Sequence, residues 1–186
     1  MDSVNFKAKY IDNAFVQAKT GKNRFIPKEV ALLKVDLKSK KDKQALSQIC
    51  SRWEKKNNLI RLVLLSLESR SNKKHNIYLL SEQEDNFQKL LPSKILGIAK
   101  VSDYNKICSL DFLQTNPKYE HTNEKRKIKR IGDAMVDYVL HKAGNRKTYL
   151  DSYAKVVEFY KKFGFKVIEN EDSCLPRMVY DPKGKK

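Results

Sequence analysis

Two glycine-containing segments in the last third of the chain constrain its fold most. In the first, a cationic run at residues 125–130 leads directly into Ile131 and Gly132. Apolar residues then recur at three- and four-residue spacing, which predicts a helix from Ile131 to a stop at Gly144. The first N–H groups of a helix lack intrahelical partners and lie at the positive end of its dipole. The segment therefore predicts a helix N-terminus that can hold a phosphate group.

The same cationic run can also be interpreted as an ordinary solvated charged loop. No Walker-type sequence, which would identify a phosphate-binding loop more specifically, is present in the chain. Gly132 favours phosphate binding, because the absent side chain would let backbone and phosphate approach closely. Taken alone, this segment leaves both interpretations open.

The second segment, residues 152–165, predicts a short helix that Ser152 caps and Gly164 ends. Its apolar residues share one face at three- and four-residue spacing, and they are Val156, Phe159, Tyr160 and Phe163. Two interpretations of Tyr160 are open. It is either a core aromatic whose hydroxyl finds a partner, or a phenol that donates a proton at neutral pH.

In this order, the two segments resemble the signature motifs of the Gcn5-related N-acetyltransferase (GNAT) superfamily. The first family motif, Q/R-x-x-G-x-G/A, is matched by residues 127–132, with Lys127 for Gln or Arg and Arg130 for the first Gly. The later motif, Y-x-K-x-G-F, is matched by residues 160–165. The resemblance spans residues 25–182 as a single domain. It implies a mixed α/β fold, with a central, mostly antiparallel sheet flanked by helices.

The hydrophobic pattern predicts further elements in the order that this superfamily uses. A strand is predicted at residues 30–37, and Ser39 or Asp42 caps a helix after it. The buried face of that helix is predicted to be Ala45, Leu46, Ile49, Cys50 and Trp53. Residues 59–67 are strongly apolar, which fits a second helix or a buried strand, and the helix is favoured. Further strands are predicted at residues 75–80, 95–101, 107–113, 165–168 and 177–180, and one ending at Leu150. Residues 1–24 are an extension without a clear pattern, and residues 183–186 are a polar tail.

The resemblance implies an acyl-CoA-dependent N-acyltransferase that moves acetyl from acetyl-CoA to a primary amine by direct attack. It implies that Tyr160 protonates the departing thiolate and that the strand end at residues 113–115 splays from its neighbour to bind the pantetheine arm. The pyrophosphate is expected at residues 127–133. The cofactor-binding residues implied are Leu113, Gln114, Thr115, Lys127, Ile128, Lys129, Arg130, Ile131, Gly132, Asp133 and Ser152.

Family members use a carboxylate on the central strand, or water, as the general base. By period-two alternation, Ser109, Asp111 and Leu113 share one strand face. Asp111 is therefore the candidate base, although a solvated or ion-paired strand aspartate explains it equally well. Glu120 and His121, in the adjoining loop, are candidates for lining the acceptor groove.

The composition limits the kinds of site and the cellular location that the sequence predicts. The 186-residue chain contains three cysteines and three histidines, all widely scattered, so neither a metal site nor a disulfide framework is predicted. No apolar run approaches the length of a membrane span, and the N-terminal residues do not resemble a secretory signal. The expected location is a reducing cytoplasm.

The net charge of +17 is spread along the chain and favours anionic partners. A phosphorylated cofactor, an acidic partner or RNA would each account for it, and so would a lysine-rich proteome. The charge, together with Arg130 in place of Gly, supports a second hypothesis. In it, the protein is a non-catalytic module with the GNAT fold that binds nucleic acid or has a regulatory role. The retention of Tyr160 favours the enzyme.

Overall fold

A computed structural model describes residues 8–21, 24–53, 74–84, 90–120, 126–169 and 174–184. The helices in this part of the chain are α1 (Lys40–Trp53), α2 (Ile131–Ala143) and α3 (Val157–Lys161). The strands are β1 (Lys9–Thr20), β2 (Arg24–Lys34), β3 (Lys74–Ser81), β4 (Ile95–Asp103), β5 (Ile107–Thr115), β6 (Ile128–Lys129), β7 (Lys147–Asp151), β8 (Lys166–Glu169) and β9 (Arg177–Tyr180).

These strands form one sheet in the order β6-β1-β2-β3-β4-β5-β7-β9-β8. Every neighbouring pair is antiparallel except β5 and β7, which run parallel. The predicted mixed α/β fold with a mostly antiparallel sheet is therefore confirmed.

Helix α1 covers one face of the sheet, as its apolar spacing predicts. Its five predicted core residues are all buried, and Leu46 and Ile49 pack in one cluster with Ile77 of β3. Ser39 caps the helix, because its Oγ accepts a hydrogen bond of 3.2 Å from the N–H of Asp42. The predicted cap and the predicted face are both present.

Helix α2 covers the opposite face and comes unusually close to β4. A Cβ placed on Gly97 would lie 2.6 Å from the sulfur of Met135 and 2.9 Å from Cγ2 of Ile131, so only glycine allows this approach. The helix ends at Gly144, whose φ of 59° is left-handed and whose N–H donates to the carbonyl of Leu140 at 3.0 Å. The predicted bounds of α2 are thus confirmed.

Two strands were not expected from the sequence pattern. Strand β1 lies within the N-terminal segment that had no clear pattern, and it pairs with β2 along almost its whole length. Strand β6 lies inside the segment predicted as a loop, and it pairs with β1 at Gln17 and Ala18. Strand β2 also begins earlier than predicted and contains Pro27. The proline is tolerated because β3 pairs with β2 only from Ala31 onwards.

The helix predicted at residues 59–67 lies outside the described residues. Among the residues that are described, no helix is long and apolar enough to cross a membrane.

The parallel contact between β5 and β7 is short, and this shapes the site. The two strands pair only at Ile107–Lys147, Cys108–Thr148 and Ser109–Tyr149. Beyond Ser109, β5 continues to Thr115 without pairing to β7. The edge of β5 that faces β7 is therefore unpaired from Leu110 onwards, and this is where the sequence predicts a splay.

Candidate active site

A cavity of about 740 Å³ opens where α2 begins. Leu113 and Thr115 at the end of β5 form part of its wall, and the first turn of α2 around Gly132 forms another part. Phe159 and Tyr160 of α3 line it as well. The cavity therefore joins the splayed strand end to both segments singled out in the sequence.

Eight of the predicted site residues line this cavity: Leu113, Thr115, Lys129, Arg130, Ile131, Gly132, Asp133 and Tyr160. The other predicted residues do not line it: Asp111, Gln114, Lys127, Ile128 and Ser152. Further lining residues that were not predicted as site residues are Gln17, Tyr119, Arg126, Lys155, Val156, Phe159 and Lys162.

The unpredicted lining residues differ in how visible they are in the sequence. Arg126 belongs to the cationic run, and Lys155 and Lys162 belong to the segment around Tyr160, so charge beside either motif would have identified them. Gln17 comes from β1, and nothing in the sequence around it indicates a site residue. Glu120 is described but does not line the cavity, and His121 lies outside the described residues.

Arg130 adopts a left-handed backbone conformation, which glycine takes up much more readily than other residues. Its φ of 63° and ψ of 23° are left-handed, and it is the only non-glycine residue with positive φ in the described part of the chain. It precedes α2, and its carbonyl accepts from the N–H of Ala134 at 3.1 Å. The N–H groups of residues 131–133 donate to no described group. Arg130 therefore holds a conformation that favours glycine, and three N–H groups at the start of α2 remain for an anion.

We expect Arg130→Gly to raise the free energy of unfolding by about 0.5–1 kcal/mol. A left-handed conformation costs an ordinary residue about 1–2 kcal/mol, and the greater freedom of glycine in the unfolded chain returns part of this gain. Urea denaturation measures the effect as a higher midpoint with an unchanged slope. The matched control is Lys129→Gly, one residue earlier with negative φ, which should lower the midpoint. A lower midpoint for Arg130→Gly would show that its side chain matters more than its backbone.

Gly132 also connects the two segments sterically. A Cβ at this position would lie 3.1 Å from Cζ of Phe159, which is a tight contact. The ring of Phe159 therefore rests against the first turn of α2, and glycine lets α3 approach. This packing role adds to the phosphate-approach role predicted from the sequence.

Tyr160 is 9% exposed and is held by neighbouring rings. Its ring meets that of Phe159 edge-on at 5.0 Å and that of Phe165 at 5.8 Å. Its hydroxyl makes no hydrogen bond to the described residues and is not fully sealed from solvent. Burial raises the pKa of Tyr160 to about 12. The phenol thus keeps its proton at neutral pH, and its hydroxyl forms no hydrogen bond with any described group of the core.

Asp111 lies on the other face of the sheet from the cavity. The β4–β5 pairing shifts register here, since Lys100 is opposite Phe112 and Val101 is opposite Leu110. Such a bulge reverses the alternation of faces. The prediction that Asp111 shares a face with Leu113 is therefore wrong.

The carboxylate of Asp111 is held by polar neighbours. Ser109 donates to its Oδ1 at 2.6 Å, and Ser102 donates to its Oδ2. The ammonium of Lys100 and Nδ1 of His75 lie 4.0 and 3.7 Å from Oδ2. The ion-paired interpretation of Asp111 therefore describes its surroundings, and its role as a base stays a prediction.

Two further predicted residues turn away from the cavity. Gln114 follows Leu113 and precedes Thr115, so it points to the opposite face, where its buried Nε2 has no hydrogen-bond partner. Ser152 is buried, and its hydroxyl donates to the carbonyl of Tyr153 at 3.0 Å. The predicted capping of the helix by Ser152 is wrong, because a short 3₁₀ turn separates it from α3.

Lys127 and Ile128 support the site through the backbone and the core. The carbonyl of Lys127 accepts from the N–H of Lys19 in β1 at 2.7 Å. The side chain of Ile128 is buried in the same cluster as Ile131 and Met135. These contacts fix the segment that leads into the turn at Arg130.

The sequence matches no protein-family model and no curated protein, but solved structures share its fold. Histone acetyltransferase HPA2 and related acetyltransferase from Corynebacterium glutamicum matches over 82% of this chain and 96% of its own, with a TM-score of 0.57 and 14% identity. PaiA N-acetyltransferase from Thermoplasma acidophilum, in complex with coenzyme A, matches over 82% and 98%, with a TM-score of 0.52 and 17% identity. Ribosomal-protein-S18-alanine N-acetyltransferase from Escherichia coli matches over 81% and 90%, with a TM-score of 0.53 and 13% identity.

These similarities extend over nearly the full length of each solved chain and over about four fifths of this chain. The unpaired end of β5, the turn that opens α2 and the tyrosine of α3 lie at the positions that the resemblance implies. The chain therefore has the fold of the Gcn5-related N-acetyltransferase superfamily.

Proposed function

We propose that the protein is an acyl-CoA-dependent N-acyltransferase that transfers acetyl from acetyl-CoA to a primary amine by direct attack. One observation carries the proposal: a single cavity contains the free end of β5, the turn that opens α2 and Tyr160. A cavity of about 740 Å³ is also in the size range of cofactor sites. Among the similar structures, PaiA N-acetyltransferase was solved with coenzyme A, which supports the same kind of co-substrate here.

The residues of the cavity suit the parts of this co-substrate. The unpaired N–H groups of residues 131–133 would hold the pyrophosphate, and Arg130 adds positive charge at the same place. The edge of β5 at Leu113 and Thr115, which β7 leaves unpaired, would hold the amide groups of the pantetheine arm. Donors on this edge would also polarise the thioester carbonyl, where negative charge develops during attack.

Tyr160 supplies the proton that the leaving group needs. The amine nitrogen attacks the thioester carbon, the C–S bond breaks, and the sulfur leaves as a thiolate. A thiol has a pKa of roughly 8.5, so the thiolate is stabilised by a proton taken from the phenol. Burial raises the pKa of Tyr160 to about 12, so the phenol still carries this proton at neutral pH. The phenol regains its proton from solvent after the product amide has formed.

Asp111 is proposed to take the proton from the attacking amine. It lies two residues beyond Ser109, the last residue of β5 that pairs with β7, and therefore near the point where the strands separate. Its side chain faces away from the cavity, which would place the acceptor amine on the opposite side of the splay. The hydroxyl of Ser109 fixes its orientation.

The acceptor is proposed to be a small-molecule amine, a peptide terminus, a lysine or an aminoacyl group on RNA, in the cytoplasm. Release of thiol from acetyl-CoA, assayed across a panel of these amines, tests the proposal directly. Salt-dependent RNA binding without thiol release from any amine would favour the non-catalytic alternative.

We expect acetyl-CoA to raise the melting temperature of the protein. A ligand that binds only the folded state stabilises it by about 2.7 kcal/mol at 100 times its dissociation constant. Thermal melts at low salt, with acetyl-CoA up to the millimolar range, measure the shift. Acetyl-pantetheine, which lacks the nucleotide and its phosphates, serves as the matched control and should give a smaller shift. An unchanged melting temperature with acetyl-CoA would contradict the enzyme proposal.

A further inference from the structure

The cavity at the start of α2 carries a large excess of positive charge. Its only acidic lining residue in the described part of the chain is Asp133, and its cationic lining residues are Arg126, Lys129, Arg130, Lys155 and Lys162. The whole chain has 39 basic and 22 acidic residues, so its composition does not account for a five-to-one ratio. A pyrophosphate group alone would neutralise only part of this positive charge.

The cationic residues differ in what already holds them. The ammonium of Lys129 lies over the ring of Phe25, 3.8 Å from its centre. Nε of Arg130 lies 3.6 Å from the carboxylate of Asp133. Lys155 and Lys162 have no acidic partner among the described residues, and neither has Arg126; the ammonium of Lys155 lies 6.0 Å from the centre of the Tyr153 ring. Their ammonium groups are therefore available to an anion in the cavity.

Lys155 and Lys162 lie on either side of α3. Lys155 belongs to the 3₁₀ turn Ala154–Val156 before the helix, and Lys162 directly follows its last residue. Both lysines line the cavity, as Phe159 does. The ring of Phe159 in turn lies against Gly132 in the first turn of α2. The two lysines therefore line the same cavity as the first turn of α2, where the unpaired N–H groups lie.

We propose that Lys155 and Lys162 bind the ribose 3′-phosphate of coenzyme A, so that the protein selects coenzyme A over its 3′-dephospho form. This inference rests on the function proposed above, in which the start of α2 holds the pyrophosphate. The 3′-phosphate belongs to the same nucleotide, so a pyrophosphate at this turn brings it among the neighbouring cations. It carries about 1.5–2 negative charges at neutral pH, and lysine binds phosphate as a point charge.

Calorimetric titration of the full chain with coenzyme A and with 3′-dephospho-coenzyme A tests this inference. We expect coenzyme A to bind about tenfold more tightly, as two partly exposed ion pairs would provide. In the double variant Lys155→Ala/Lys162→Ala, the ratio of the two affinities should fall to about one to two. The affinity for 3′-dephospho-coenzyme A should change little. Added salt should reduce the ratio in the unmodified protein, because it screens exposed charges.

The matched control is the double variant Lys161→Ala/Lys166→Ala. It removes the same charge from the same part of the chain, but neither residue lines the cavity, and Lys161 pairs with Glu158 at 2.8 Å. This control should keep the preference for coenzyme A. All four lysines are exposed, so thermal melts of both double variants should match that of the unmodified protein.

The outcomes separate this inference from the proposed function. Equal affinity of the unmodified protein for the two ligands would overturn the inference and leave the proposed function standing. A preference that survives in Lys155→Ala/Lys162→Ala, or that is lost in Arg126→Ala instead, would also overturn it. Failure to bind either ligand would refute the proposed function, and the inference with it.

Discussion

Replacing Tyr160 with Phe is expected to lower the turnover number for acetyl transfer about 10²–10⁴-fold, the usual range for one acid–base group. The hydroxyl is needed when the thiolate departs, so the dissociation constant of acetyl-CoA should barely change. Steady-state thiol release and calorimetric binding on the same variant measure both quantities. The expected result is a loss of turnover without a loss of affinity.

The contacts of Tyr160 make this substitution well suited to the test. Phenylalanine keeps the ring contacts with Phe159 and Phe165. The hydroxyl makes no hydrogen bond to the described residues, so its removal should leave the free energy of unfolding nearly unchanged. A hydroxyl that served the core would instead cost about 1 kcal/mol on removal and leave turnover unaffected. Measured stability and turnover therefore distinguish the two interpretations.

The pKa of Tyr160 adds a pH signature to the same experiment. Burial raises the pKa to about 12 in the folded protein, against about 10 in an unfolded chain. The stability associated with the neutral phenol is therefore fully present below about pH 10 and is lost as the pH rises through about 12. Turnover should likewise show no alkaline decline due to Tyr160 below about pH 10.

The control for Tyr160→Phe is Tyr153→Phe. Tyr153 is 43% exposed, lies in the same segment and does not line the cavity, so this change should leave turnover intact. Near-normal turnover in Tyr160→Phe would assign the proton to water and return Tyr160 to a core role.

Helical periodicity predicted the elements that frame this site, because each helix buries one stripe of residues against the sheet. The sequence pattern predicts both the buried face of α1 and the end of α2 at Gly144, and the structure confirms both. The bulge at Asp111 was not predicted, because two consecutive residues of β5 share a face there and alternation assumes that they do not. The left-handed conformation of Arg130 was not foreseen either, because it is one that ordinary residues rarely adopt.

Strand β1 and the surroundings of Ser152 show a second limit. Strand β1 is mostly exposed along its length, so it lacks the clear apolar alternation that marks a half-buried strand. Ser152 precedes a helix in sequence, yet its buried hydroxyl bonds to the next carbonyl, and a 3₁₀ turn begins the helical segment. Which group a short polar side chain bonds depends on tertiary contacts that its neighbours in the sequence do not specify.

Gly132→Glu is expected to abolish measurable binding of acetyl-CoA. The substitution puts a negative side chain in the first turn of α2, beside the N–H groups of residues 131–133 that would hold the pyrophosphate. It also forces a Cβ to within 3.1 Å of the Phe159 ring, so α3 must shift slightly. Calorimetric titration with acetyl-CoA measures the loss, and circular dichroism checks that the variant is folded.

Gly132→Ala separates the charge from the contact in this experiment. Alanine adds the same Cβ against Phe159 without a charge, so it should weaken acetyl-CoA binding much less than glutamate does. If alanine and glutamate weaken binding equally, the contact with Phe159 is what shapes the site. If a folded Gly132→Glu variant binds acetyl-CoA normally, the phosphate does not approach α2 at this turn. Loss with glutamate and near-normal binding with alanine would place a negative ligand group directly against the start of α2.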